Sequence, residues 1–99
     1  AGGLKVNDPA IDLAVISAIL SSSLDISIEP GISMCGEVGL SGEIRPVNRI
    51  EQRILEAEKL GFSRIIIPHN NLKGFDTSKC KMQIVQVRKV EEAFRQLFG

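Results

Sequence analysis

The run Arg64-Ile65-Ile66-Ile67-Pro68 constrains this chain more than any other stretch. Three consecutive isoleucines place branched apolar side chains on both faces of one short strand. A strand like that belongs inside a parallel sheet, with helices covering it above and below. The neighbouring segments supply such helices. Asn48-Arg49-Ile50-Glu51 reads as a capping box with Asn48 as N-cap and Glu51 at the third helical position. Its helix runs to Leu60 with Ile50, Ile54 and Ala57 on one side, and Gly61 ends it. Beyond a polar loop from His69 to Lys81, Met82 to Val87 reads as a second strand. Val90, Phe94 and Leu97 then give a last helix its apolar stripe.

Upstream, Asp8-Pro9 pairs an N-cap residue with proline at the first helical position, where a missing N–H costs nothing. The helix it opens, Ala10 to Leu20, is apolar on nearly every face, broken only by Asp12 and Ser17. That pattern predicts a central helix covered on most sides, fading into Ser21-Ser22-Ser23. After the turn Glu29-Pro30-Gly31, the segments Ile32 to Leu40 and Glu43 to Val47 read as a hairpin around Ser41-Gly42. The whole is an α/β domain, helices packed on a mixed sheet, and 99 residues hold one core spanning 1–99.

Composition narrows what such a domain does. Twelve basic and twelve acidic residues cancel, which excludes a strong overall field toward DNA or membrane but leaves local patches open. Trp and Tyr are absent, so a stacking platform for single-stranded nucleic acid is missing. No apolar run is long enough to span a bilayer. Cys35, Cys80 and the single His69 fall short of a structural zinc set, and the two cysteines read as reduced thiols in a cytoplasmic protein. No metal or cofactor site is expected in this domain.

Three places invite chemistry. The turn Asn7-Asp8-Pro9-Ala10 presents helix-start N–H groups to an anion, or is only a capped helix. Glu37 and Glu43, in the glycine-rich stretch Gly36 to Val47, are an acid/base pair or, more plainly, salt-bridged carboxylates. The stretch lacks the Gly-Lys-Ser/Thr ending of a phosphate-binding loop. Arg45, Arg49 and Arg53 form a basic series suited to phosphate contact, with pairing of Arg53 to Glu51, Glu56 or a carboxylate elsewhere as the competing reading.

Taken together, Ala1-Gly2-Gly3-Leu4-Lys5-Val6, Asp8-Pro9-Ala10-Ile11-Asp12-Leu13-Ala14, the stretch Gly36 to Val47, Arg53-Ile54-Leu55-Glu56-Ala57 and Leu60-Gly61-Phe62 resemble the C-terminal domain of the bacterial RadA (Sms) family over the whole chain. That domain is similar in turn to the proteolytic domain of Lon proteases, with its ribosomal-protein-type fold. Lon proteases use a Ser–Lys dyad, and the resemblance lays the Ser position on Ala10 and the Lys position on Arg53. Alanine has no nucleophilic atom, and an arginine is too basic to act as general base. The resemblance therefore implies a peptidase scaffold without its chemistry, not an active Ser–Lys peptidase.

It further implies a role in DNA repair and homologous recombination. Family members form hexameric rings that bind DNA and promote branch migration. They carry a four-Cys zinc module and a RecA-like ATPase ahead of this domain, so zinc, ATP and Mg belong to parts outside it. Ring assembly and DNA contact are the expected tasks here, with a purely structural oligomerisation role as the alternative. Lys5, Arg45, Arg49 and Arg53 are the expected DNA contacts. The opening residues Ala1 to Val6 read as a strand cut through its middle. The N-terminal strands of the fold then stand truncated, and the exposed sheet edge is expected to dimerise, swap a strand or hold the missing segment noncovalently.

Overall fold

The fold is described by a computed structural model covering residues 8–72 and 74–98. The opening strand expected over Ala1 to Val6, its truncated edge and the expected contact Lys5 lie outside the described residues. The isoleucine strand is where the sequence placed it. It forms the centre of a three-stranded parallel sheet: β1 Ile32–Met34, β4 Arg64–Pro68 and β5 Gln83–Val87, in the order β1-β4-β5. Ser33 lies opposite Ile65, and Ile66 is flanked in register by Met34 and Val85. The antiparallel pairing forms a separate ribbon of β2 Glu37–Val38 and β3 Ile44–Arg45, so the two kinds of pairing sit in two sheets.

Because side chains alternate along a strand, β4 feeds two cores. Ile66 joins Leu13, Ile32, Ile44, Val87, Ala93 and Leu97 on one side. Ile65 and Ile67 join Cys35, Ile50, Ile54, Ala57 and Met82 on the other. The second face is covered by α2 Ile50–Lys59, whose buried residues are the predicted Ile50, Ile54 and Ala57. The first is covered by α3 Val90–Phe98 and by Leu13 near the start of α1 Asp12–Leu24.

Four local expectations need correction. The segment Ile32 to Leu40 is not one hairpin strand. It splits after Met34, because Cys35 N–H bonds to Ile66 O while Gly36 turns to donate to Ala10 O at 2.8 Å and accept from Leu13 N at 3.1 Å. A Cβ on Gly36 would lie 2.8 Å from Ile44 Cγ2, so only glycine fits at this seam.

The helix after Asp8-Pro9 begins as a 3-10 turn, Pro9–Ile11, and then runs to Leu24, through the serines expected to end it. Its chain is not covered on most sides among the described residues. Leu13 and Ser17 are buried, while Val15 and Ile19 are 45% and 60% exposed. The helix packs by one narrow face.

At the start of α2 the N-cap is Arg49, not Asn48, and no side chain caps it. Arg49 sits in the left-handed region at φ 60, which places Asn48 one residue outside the helix and Glu51 too early for a capping box. Finally, the His69–Lys81 loop is less polar in use than in composition. Leu72 and Phe75 pack against the second core, and a 3-10 turn, Thr77–Lys79, lies in it.

Candidate functional site

The Asp8-Pro9 turn carries out the capping predicted for it. Asp8 Oδ1 accepts from Ala10 N–H at 3.0 Å. Its other oxygen, Oδ2, accepts from Arg53 Nη2 at 3.2 Å, across 45 positions of sequence. One carboxylate thus joins residue 10 to residue 53. Arg53 is fixed from a second direction by Nε donating to Asn48 O at 2.8 Å. The Ala10 hydrogen bond, first, and the Arg53 guanidinium, second, hold Asp8 below the ordinary carboxylate value. Ala10 is buried, its C=O bonded to Gly36. A small cleft of about 170 Å³ opens here, lined by Asp8, Pro9, Ala10, Glu37, Pro46 and neighbours.

These atoms can do little chemistry. The Ala10 methyl is no nucleophile, the Arg53 guanidinium is too basic to accept a proton, and the Asp8 carboxylate is engaged by Ala10 N–H and Arg53. Cys35 is buried, and burial pushes its thiol up to about 11. It is protonated at neutral pH and inert as a nucleophile. Both cysteines are free, and among the described residues no three His, Cys, Asp or Glu side chains gather as metal ligands.

Glu37 and Glu43 are not placed as an acid/base pair. Both reach Arg45, at 3.3 Å and 2.9 Å, and clamp the β2–β3 ribbon. Arg45, its own main chain and the Ser41 hydroxyl bring Glu43 down to about 2 from its ordinary 4.5. A depressed carboxylate stabilises the fold fully above its ordinary value and loses that contribution as pH falls through the folded value. The ribbon is therefore expected to stay clamped down to about pH 3. An NMR titration should place the Glu43 midpoint near 2, and Arg45→Ala should return it toward 4.5. A wild-type midpoint at 4.5 would mean the clamp is not formed.

The basic series is divided by these contacts. Arg45 is neutralised by two carboxylates and Arg53 by Asp8, whereas Arg49 is exposed with no carboxylate within 4 Å among the described residues. Three features had no local signal in sequence: the Asp8–Arg53 pair, the contact of Arg88 with His69, and Asn71. The Asn71 amide bonds both N–H and C=O of Val47, at 2.7 Å and 3.1 Å. Each joins segments some twenty or more positions apart.

With this geometry in view, comparison with known proteins gives one pattern. Residues 1–99 match the family of the Lon protease (S16) C-terminal proteolytic domain. The chain is 50% identical over 99 residues to the DNA repair protein RadA of Streptococcus pneumoniae (strain ATCC BAA-255 / R6), covering all of this chain and 23% of that protein. It is 50% identical to the DNA repair protein RadA of Bacillus subtilis (strain 168), over all of this chain and 21% of that one. The same protein of Halalkalibacterium halodurans is 42% identical, again over the whole chain and 21% of the relative. The chain spans less than a quarter of the length of these relatives.

Proposed function

The chain belongs to the family of the Lon protease C-terminal proteolytic domain, and from that premise we propose that it is a non-proteolytic Lon-type domain. It serves a DNA repair protein of the RadA kind through ring assembly and DNA contact. The observation that carries this reading is the single carboxylate of Asp8 joining Ala10 N–H to the Arg53 guanidinium. These are the two positions on which the Ser–Lys dyad falls, and neither side chain can perform its step. Adding a hydroxyl alone does not restore the reaction, because a guanidinium held by Asp8 and Asn48 O has no lone pair to accept the serine proton.

Wild type and Ala10→Ser are accordingly expected to hydrolyse unfolded casein no faster than a blank and to resist an active-serine fluorophosphonate. Labelling of Ser at position 10 at a rate above that of denatured protein would overturn the non-proteolytic reading.

The wider activity rests on what relatives with this domain are called, DNA repair proteins. In the full-length protein the domain works in the cytoplasm within a hexameric ring. ATP hydrolysis and zinc binding reside in the preceding modules, and branch migration is the task of the assembly. A purely structural oligomerisation role is the second reading. Two observations favour it: the neutralised Arg45 and Arg53, and the exposed apolar residues Val15 and Ile19 on α1.

Changing Arg45, Arg49 and Arg53 together to Glu in the full-length protein separates the two. Weaker DNA binding with a shallower salt dependence, the ring still intact by light scattering, supports DNA contact through this domain. Unchanged binding removes these three arginines from the DNA contact and favours the structural reading.

A further inference from the structure

A second cavity, of about 560 Å³, adjoins the cleft at Asp8 and shares Pro46, Val47 and Asn48 with it. It is bounded by the segment Pro46 to Ile50 and by Asn70-Asn71 just beyond the end of β4. The Asn71 amide fastens the two walls by its paired bonds to the Val47 main chain. Its lining residues include no Asp or Glu, while Arg49, Asn48 and Asn70 supply donors. Such a volume is that of a small-ligand site.

Backbone conformation singles out the same place. Arg49 and Asn70 both hold left-handed φ, 60 and 62, and they are two of the three non-glycine residues that do so among those described. Asparagine tolerates that region, but an arginine there is strained, and such strain clusters at functional sites.

Next to Asn70, His69 Nε2 lies 3.1 Å from Arg88 Nη2. The guanidinium can only donate, so in this contact the imidazole nitrogen is the acceptor. Glu92 Oε1 accepts from the N–H groups of Arg88 and Lys89 at 2.9 Å and 3.1 Å, and among the described residues no carboxylate lies within 4 Å of the Arg88 guanidinium. Arg49 and Arg88 therefore differ from Arg45, Arg53 and Arg64, each of which has a carboxylate within 4 Å. Arg88 directly follows β5, and Asn70-Asn71, which share the cavity with Arg49, follow β4, at the carboxyl end of the parallel sheet, where open α/β sheets take their ligands.

We propose that Arg49, with the amides of Asn48 and Asn70, and Arg88, steadied by His69, form a phosphate track for the backbone of a nucleic acid. The DNA contact of this domain then runs along the ends of β4 and β5 and not over Arg45 and Arg53. This rests on the reading of the chain as a DNA-contacting domain and adds the site. The contacts are to phosphate and carry no base preference. They require charges that are not already spent on carboxylates, which is the condition the two arginines meet.

The test uses the full-length protein and a fluorescent oligonucleotide, with affinity measured from low to moderate salt. Each phosphate contact adds about 0.9 to the slope of log affinity against log salt. Arg49→Ala and Arg88→Ala are each expected to lower the slope by about 1, and the double variant by about 2. Arg45→Ala and Arg53→Ala should leave it unchanged, with light scattering checking the assembly of every variant. If the second pair lowers the slope and the first does not, the track is wrong while DNA contact by this domain survives. If none of the four moves it, DNA contact through this domain fails as well. Competition by inorganic phosphate at the same phosphate concentration as the oligonucleotide would make the cavity a small-anion site and overturn the track.

Discussion

Ile66→Ala is expected to cost about 2–5 kcal/mol, the range for removing a large aliphatic side chain from a fixed core. Ile66 is at 0% exposure in the central strand, with β1 and β5 bonded on either side. Its side chain sits where Leu13 of α1, Ile44 of β3, and Ala93 and Leu97 of α3 meet the sheet. None of these can close the gap without leaving its own hydrogen-bonded element, so the cavity stays and the upper part of the range applies. A domain of this size has about 5–15 kcal/mol in total, so the loss is a large fraction of it. Leu55→Ala, at a residue 53% exposed on the outside of α2, should change stability by about 0.5 kcal/mol or less. Urea unfolding distinguishes them: the midpoint falls for Ile66→Ala with the slope unchanged, and hardly moves for Leu55→Ala. A loss below about 1 kcal/mol at Ile66 would mean that α1, α3 and the ribbon do not share one core.

The same strand shows what was legible in the sequence. Three adjacent isoleucines announce burial on both faces, and Ile50, Ile54 and Ala57 announce the helix face that meets one of them. These are local patterns with a fixed period, and such patterns survive folding. The break of Ile32 to Leu40 at Cys35-Gly36 is of another kind. It is made by Ala10, Leu13 and Ile66, residues more than twenty positions away, and nothing in the local run signals it. Periodicity misjudged α1 for a related reason. An apolar composition all round says only that a helix tolerates burial, whereas neighbours decide which sides are covered, and Val15 and Ile19 have none among the described residues that cover them. At the site, the resemblance marks residues 10 and 53, but in the sequence Asp8 shows itself only as a helix cap, and its reach to Arg53 exists only in the folded chain. The basic series was visible as a cluster of positions. Its division into spent and unspent charges depends on Asp8, Glu37 and Glu43, and only the folded chain brings those into contact.

Alkylation of Cys35 by iodoacetamide near pH 8 should run at least ~100-fold slower in the folded protein than in the unfolded chain. The thiolate is the reacting species, and the rise from 9.0 to about 11 lowers its population by that factor before access is considered. Burial is the main cause of the rise, and the Arg53 guanidinium opposes it without prevailing. Cys35 is also only 5% exposed, packed between β1 and α2 against Ile54, Ala57 and Ile65, so reagent must wait for that layer to part. Cys80 is half-buried, at the edge of the same core, and should react first. Once Cys80 is labelled, the slow phase belongs to Cys35 and reports how often α2 lifts from the sheet. Asp8→Ala removes the ion pair that ties the start of α1 to Arg53 in α2, and should speed that phase while leaving Cys80 unchanged. Equal rates for the two cysteines in the wild-type protein would show that α2 does not seal β1. In that case the Asp8–Arg53 pair would not be holding α2 against the start of the chain's first helical turn.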